Sequence, residues 1–390
     1  MKNKTMKKAV YVALLGCLAS PVVGICATTE DMERRLQKLE EEIKATRAEL
    51  QATKEDVKMA QVEAQDAAVN TDKGLKVNGY STLEYVQTNA PGLYDGFRLR
   101  HMNLMFSKQV SPDLKFFSSV MLEDAPLLDK NTAANGTSGK LMVEAVNFSY
   151  RLNNSTTLRG GRFFTPAGIW SLDSIPFVLT QDRPLHIRNI FPQVIDGASV
   201  AGTHGVGSAF VGYDVFLGNG QTAQMNGGSD YNSNQAVGGR VNISLPFADR
   251  FELGSTLFRE RMKVTTAAAE EVKNAYGVHF QVKQGAFYIR GEYAKGMYAP
   301  VTGIGNYNRV GYYIQPSYDI NDFTVGYRYD FYNSKTTTLA SSATVENVPF
   351  IAYHVDKNTT VKWEHHLVNL RNPVLQDFYR SIVSVAVNFD

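Results

Sequence analysis

From Tyr379 to Phe389 two sets of positions take turns. Tyr379, Ser381, Val383, Val385, Val387 and Phe389 alternate with Arg380, Ile382, Ser384, Ala386 and Asn388. Successive side chains of a strand point to opposite faces, so this segment predicts a strand with one mostly apolar face and one mixed face. An alternating segment of about ten residues closed by an aromatic residue is how an outer-membrane barrel ends. A half-buried edge strand of a soluble sheet has the same alternation, and the rest of the chain decides between them.

From Leu75 onward the texture is glycine, tyrosine and phenylalanine with short polar breaks, and period-two alternation predicts sixteen strands. They fall at 75–87, 96–109, 114–124, 140–152, 156–164, 197–204, 208–217, 236–245, 250–261, 273–284, 286–298, 308–318, 322–332, 347–355, 360–371 and 376–389. An even number suits a single-chain bacterial barrel. Tight breaks, as at Ser111-Pro112, Asn153-Asn154, Gly285 and Asn321, take turns with long ones at 125–139, 165–196, 218–235 and 333–346. Short turns at one rim and long loops at the other is the outer-membrane pattern; a soluble sandwich has no reason to sort its loops this way.

The dyads also assign faces. Phe323, Val325, Tyr327, Tyr329 and Phe331 alternate with Thr324, Gly326, Arg328 and Asp330, and Phe287, Ile289, Gly291 and Tyr293 with Tyr288, Arg290 and Glu292. A charge facing lipid at midplane costs about 2–4 kcal/mol, so the charged set is expected inside. The expected lumen set is Arg240, Arg290, Arg328, Lys362 and Arg380, with Glu252, Glu292, Asp330 and Glu364 among them. This predicts a wet lumen of mixed charge.

Ahead of the strands the period changes. Met32, Leu36, Leu39, Ile43, Thr46, Leu50, Thr53, Val57, Ala60, Ala64 and Ala67 recur at spacings of four and three, with charges such as Glu33, Arg34, Lys38, Glu41, Lys44, Glu49 and Lys54 on the other faces. This is the seam of a self-associating coiled coil over 28–72, about 1.5 Å long per residue. Residues 1–27 carry Lys2, Lys4, Lys7 and Lys8, then an apolar run from Ala9, then small residues, which is the order of a cleavable export signal. Leu14, Leu15, Gly16 and Cys17 also fit a lipobox, against which the apolar residues continuing through Ile25 argue. The expected organisation is a signal at 1–27, a periplasmic coiled coil at 28–72 and an outer-membrane barrel at 73–390.

Charge and cysteine content narrow the function. The net charge is +2, with seven basic and twelve acidic residues in 28–72 and 29 basic against 26 acidic beyond it. The basic residues are dispersed, which argues against nucleic acid. Both cysteines, Cys17 and Cys26, lie in the signal, so the exported chain would have no disulfide or cysteine metal site. His365 and His366 are adjacent and point to opposite faces of a strand, with His354 and His279 elsewhere, so no metal site is expected. Gly202, Gly205 and Gly207 precede no helical pattern and read as a turn. No Ser-His or Asp-His spacing stands out for covalent catalysis, and no catalytic residue or cofactor is expected.

The run Gly96-Phe97-Arg98-Leu99-Arg100-His101-Met102-Asn103-Leu104, then Asp113-Leu114-Lys115-Phe116, then Leu158-Arg159-Gly160-Gly161-Arg162-Phe163-Phe164-Thr165-Pro166-Ala167-Gly168 resembles the phosphate-selective porin family and its trimeric, coiled-coil-bearing relatives. The stretch from Gly161 to Gly168 is its most specific part. The resemblance implies a sixteen-stranded homotrimeric porin whose third long loop folds inward to narrow the pore. Here that connection is 165–196, with Pro166, Pro176, Pro184 and Pro192, and with Asp173, Asp182, Arg183, His186 and Arg188 as the candidate constriction. As the resemblance has it, phosphate specificity relies on a ladder of inward arginines and on constriction lysines. In this chain the lumen arginines are interleaved with acids and the loop has no lysine, so the expected selectivity is a weak anion preference. The resulting reading is a diffusion porin for small hydrophilic solutes, in outer-membrane lipid. Its rivals are a structural tether that reaches the cell wall through the coiled coil, and an outer-membrane enzyme such as a lipase in a plugged barrel.

Overall fold

The computed structural model describes residues 74–93, 95–124, 139–172, 179–219, 235–262, 270–300, 305–334, 342–372 and 375–389. The expected signal and coiled coil lie outside the described residues, as does Asp173.

Sixteen strands follow in chain order: β1 Lys76–Thr88, β2 Gly96–Ser111, β3 Leu114–Glu123, β4 Lys140–Asn153, β5 Thr156–Phe164, β6 Val194–Val206, β7 Ala209–Asn219, β8 Gln235–Ser244, β9 Arg250–Met262, β10 Glu271–Gln284, β11 Phe287–Pro300, β12 Tyr307–Ile320, β13 Phe323–Ser334, β14 Ser342–His354, β15 Thr359–Arg371 and β16 Phe378–Phe389. Each pairs antiparallel with its neighbours in sequence, and β1 pairs with β16 from Gly79↔Phe389 to Thr88↔Arg380. The sheet is therefore a closed barrel without edges, the form in which strands can satisfy every backbone group within a bilayer. Among the described residues no helix is long and apolar enough to cross a membrane.

The connections sort by rim as the sequence predicts. Those after the even-numbered strands are two to five residues long, and those after the odd-numbered strands run from six to 29. β1 begins and β16 ends at the short-turn rim. Gly285 (φ 58) and Asn321 (φ 52) occupy the left-handed region in two of the tightest turns, where a side chain with a branched Cβ would be strained. Strand boundaries depart most from expectation at β14 and β6. β14 begins five residues early because Val345 and Glu346 continue its alternation, and β6 begins three residues early, where the third long connection ends.

Alternation separates two faces. In β16, Ile382, Ser384 and Ala386 are buried inward, whereas Val383 and Val387 are 45% and 40% exposed on the outside. Cross-strand register keeps the faces continuous, with Val385 opposite both Leu83 and Val361. Outward aromatic pairs lie toward the short-turn rim, Phe116 with Phe148 (5.3 Å), Phe247 with Phe251 (4.3 Å) and Phe323 with Tyr353 (4.7 Å), and toward the other rim, Tyr85 with Phe97 (4.8 Å). An aromatic girdle of this kind belongs at a bilayer interface.

Among the described residues four bulges interrupt the dyad; those at Val110 and Leu152 lie next to short turns, and the other two lie in mid-strand. Thr82 pairs with His101 but Leu83 with Leu99, which makes Arg100 the extra residue of β2. Likewise Ser119 pairs with Ala145 and Val120 with Val143, so Glu144 is the extra residue of β4. A bulge re-aims one side chain, and both mid-strand bulges carry a charge to one side of the lumen.

Candidate functional site

The described parts of the third long connection, residues 165–172 and 179–193, lie in the barrel interior between β5 and β6. Its ends are tied by the Thr165 amide donating to the Gln193 carbonyl at 3.0 Å. Between them the main chain reaches three wall carboxylates. Trp170 N donates to Glu292 Oε1 at 3.0 Å, Gln181 N to Glu364 Oε1 at 2.8 Å and Leu185 N to Asp330 Oδ2 at 2.9 Å. An irregular loop in a barrel has backbone donors with no ladder to join, and inward carboxylates supply the acceptors they need.

Side chains complete the attachment. Arg328 Nη1 donates to Thr180 Oγ1 (2.7 Å) and to the Asp182 carbonyl (2.8 Å), and Arg380 forms an ion pair with the Asp182 carboxylate. The Arg290 guanidinium lies 4.6 Å from the centre of the Trp170 ring, and Tyr313 meets that ring edge-on while donating to Glu292 at 2.9 Å. Gly168 has φ 60, and a Cβ there would collide with the Glu292 carboxylate. The last residue of the Gly161 to Gly168 motif is thus a glycine because the loop turns against Glu292. After Pro184 a six-residue helix α1, Leu185–Ile190, packs against β11, β12 and β13. Phe191 then seats the loop on Phe258, with Phe163, Ile195 and Phe216 in the same apolar cluster.

On the opposite side the loop meets β1 to β4 differently. Tyr80, Asn103, Met105, Ser119, Glu144, Phe164, Ser171, Leu172 and Arg183 line a cavity of about 30 Å³. The bulged Glu144 accepts hydrogen bonds from Asn103 Nδ2 (2.6 Å) and Ser119 Oγ (3.1 Å). Gln181 Nε2 reaches Thr82 Oγ1 at 3.3 Å. On this side the loop faces the wall across polar side chains and leaves a gap large enough for a water molecule.

The structure places the candidate residues as follows. Asp182 is buried in the ion pair with Arg380, and Arg183 is half-buried at the cavity. His186 and Arg188 lie on α1, and their side chains are outside the described residues, as is all of Asp173. Arg290, Glu292, Arg328, Asp330 and Lys362 face inward and are nearly inaccessible, with Arg328 and Asp330 at 0% exposure. The expected wet surroundings are corrected for Arg290, Glu292, Arg328, Asp330 and Glu364, because the loop itself touches them, and for Lys362, which is buried as well. Arg240 lies nearer the short-turn rim, where it donates to Glu252 Oε1 at 2.7 Å beside His279. Among the described residues no group of three metal-ligating side chains is arranged around a common point.

Several residues of the site escaped the sequence reading. Glu346 lies 2.8 Å from His366 Nδ1 and 3.7 Å from Arg328, and His366 lies 3.2 Å from Glu364. Glu346 was legible only once β14 was extended, and His366 only as the inward partner two residues after Glu364. Lys273 donates to Glu260 at 2.9 Å, both buried, with the Phe258 ring 5.3 Å away. Glu144 left no signal, since a bulge breaks the period by which faces are read.

No model of a known protein family matches the chain. An uncharacterized protein of Aquifex aeolicus (strain VF5) is 27% identical over 201 residues, which cover 48% of this chain and 44% of that protein; the match spans less than half of the relative's length. Among solved structures, the in-vitro folded OmpT of Vibrio cholerae, an outer membrane protein in trimer form, is similar at a TM-score of 0.58 and 11% identity, covering 81% of this chain and 99% of that one. An anion-selective porin from Comamonas acidovorans is similar at 0.61 and 13%, covering 81% and 99%. The outer membrane channel DcaP of Acinetobacter baumannii is similar at 0.53 and 13%, covering 81% and 97%. At such identities the likeness is one of fold, and the fold is that of outer-membrane porins and channels.

Proposed function

We propose that the protein is an outer-membrane porin for passive diffusion of small hydrophilic solutes, with a weak anion preference, assembled as a homotrimer whose segment 28–72 forms a coiled coil in the periplasm. The observation that carries this reading is the third loop held inside a closed barrel by three main-chain bonds to wall carboxylates. On this reading the fixed inward loop narrows the channel, and its polar side chains replace part of a solute's hydration. Asp182, Arg183, His186, Arg188 and Asp173 would form the constriction, and Arg240, Arg290, Glu292, Arg328, Asp330, Lys362 and Arg380 the lumen wall. A weak preference fits the pairing of the arginines with acids, Arg380 with Asp182 and Arg240 with Glu252, which leaves little unbalanced positive charge. The trimeric form of the Vibrio cholerae protein and the anion selectivity of the Comamonas porin agree with this reading. Passive conduction requires no catalytic residue or cofactor, which sets it apart from the lipase-like rival. The resemblance to the phosphate-selective porins extends to the motif that positions the loop, and we infer no phosphate specificity from it.

Planar-bilayer recording of the purified protein under a salt gradient tests the proposal. Conductance steps in groups of three with a reversal potential mildly favouring anions are expected; silence across many insertions would sink it. The heptad seam of 28–72 favours a second role as a tether between outer membrane and cell wall. Deleting 28–72 separates the two, because a porin then still conducts whereas a tether loses envelope attachment.

A further inference from the structure

The Gly161-Arg162-Phe163 part of the motif serves both faces of the wall. Phe163 points inward into the cluster that seats the loop. Arg162 points the other way, opposite Val146, whose own row on β4 continues outward through Phe148 and Tyr150. Across the β5–β6 pair Arg162 stands opposite Asp196. The two make a bidentate ion pair, Nε to Oδ1 at 2.5 Å and Nη2 to Oδ2 at 2.6 Å, and Nη1 donates to the Val143 carbonyl at 3.1 Å.

This pair stands where lipid would be expected. Arg162 is six residues along β5 from Thr156, which at about 3.3 Å per residue and a tilt of about 40° is roughly 15 Å above the short-turn end, within an apolar band about 25 Å tall. Held by three bonds, its guanidinium cannot reach up to a rim as a free arginine does. Outward positions near this level include Val237 and Val241 on β8 and Leu253 and Leu257 on β9. Charges facing lipid are strongly unfavourable, whereas a bidentate pair with its donors satisfied tolerates cover by another protein surface. Among the described residues the two side chains remain 17% and 31% exposed, which leaves the pair open to cover by a second surface.

We propose that the outward face of β5 and β6, centred on Arg162 and Asp196 with the small residues Gly160 and Ala198 beside them, is the face on which a second copy of this chain docks. The apolar row of β4, with Leu141, Val143 and Val146, supplies the flank of that contact. This inference rests on the homotrimer reading and adds which side of the barrel makes the contact.

The test uses the full chain carrying a photo-reactive benzoylphenylalanine at Ala198, with the same label at Val241 on the outward face of β8 as control. Irradiation is expected to give crosslinked dimers and trimers from position 198 and none from 241. A preparation that sediments as a trimer yet crosslinks at 241, or only to lipid at 198, overturns the docking face and leaves the trimer standing. A preparation that is monomeric overturns both. The paired substitution Arg162→Leu with Asp196→Leu is a second readout. At a subunit contact it should cost the trimer band on unheated gels while the β-sheet circular dichroism is kept. A pair facing lipid would be improved by leucines, so a trimer that is unchanged or more heat-resistant also overturns the inference.

Discussion

Two sides of the same lumen treat the third loop in different ways. The wall from β11 to β16 grips it through charges and the main chain, with Glu292, Asp330 and Glu364 accepting loop amides and Arg328 and Arg380 binding around Asp182. The wall from β1 to β4 meets it through Gln181 on Thr82 and through Trp170 beside Tyr80 and Met105, and leaves a small cavity next to Glu144 and Arg183. The loop is thus pinned by charges on one side and packed beside a cavity on the other. The gripping wall fixes where the loop lies, and the bulged wall sets the charge around Arg183.

That division can be broken from its strong side first. Arg328→Met leaves Asp330 and Glu346 without their arginine in a buried setting, and loss of one partner of a buried ionic cluster costs about 3–5 kcal/mol. The expected outcome is a loop that proteases cut and a conductance that becomes noisy and larger, with the barrel still folded by circular dichroism. An uncut loop and quiet steps would show that the grip lies elsewhere. Gly168→Val should act in the same direction, because the branched side chain would have to displace either the loop or Glu292. Tryptophan fluorescence should report it, since Trp170 is fully buried next to Glu292, and an unshifted spectrum would contradict the collision.

Smaller effects follow nearer the solute. Glu292→Ala orphans the Trp170 amide and the Tyr313 hydroxyl, at about 1–3 kcal/mol for each buried donor left unpaired. It should lower the denaturant concentration at which the Trp170 signal is lost while leaving the global β-sheet transition nearly in place; coincident shifts of both transitions would argue against a separately held loop. On the bulged wall, Glu144→Gln removes one negative charge beside Arg183 and keeps the Asn103 and Ser119 neighbours. It should move the reversal potential toward anions with little change in stability or step size, and a shift toward cations would place Glu144 away from the conducting path.

The outer face was almost wholly legible from sequence. Every expected strand has its counterpart, and the sorting of turns and loops by rim is as the breaks along the chain implied. The reason is that lipid imposes one requirement on every outward residue, so a period of two suffices to read it. The inner face was legible only in orientation. Arg328, Asp330, Arg290 and Glu292 could be assigned inward, but their partners come from 165–193, more than a hundred residues away for most of them. Glu346 was hidden by a misplaced strand start and Glu144 by a bulge, both being places where the alternation fails locally. The outward pair Arg162 and Asp196 runs against the rule that charges turn inward, which taken alone would have turned Arg162 into the lumen and Phe163 toward lipid.

By itself the sequence determined a sixteen-stranded closed barrel with short turns at one rim, because alternation and turn chemistry are local and repeat in every strand. Which charges grip the third loop, on which side it leaves a cavity and where an ion pair breaks the lipid face were decided only by the tertiary structure. Those features depend on strands far apart in the chain meeting across a lumen or along a ladder, and no spacing within one segment encodes which strands will meet.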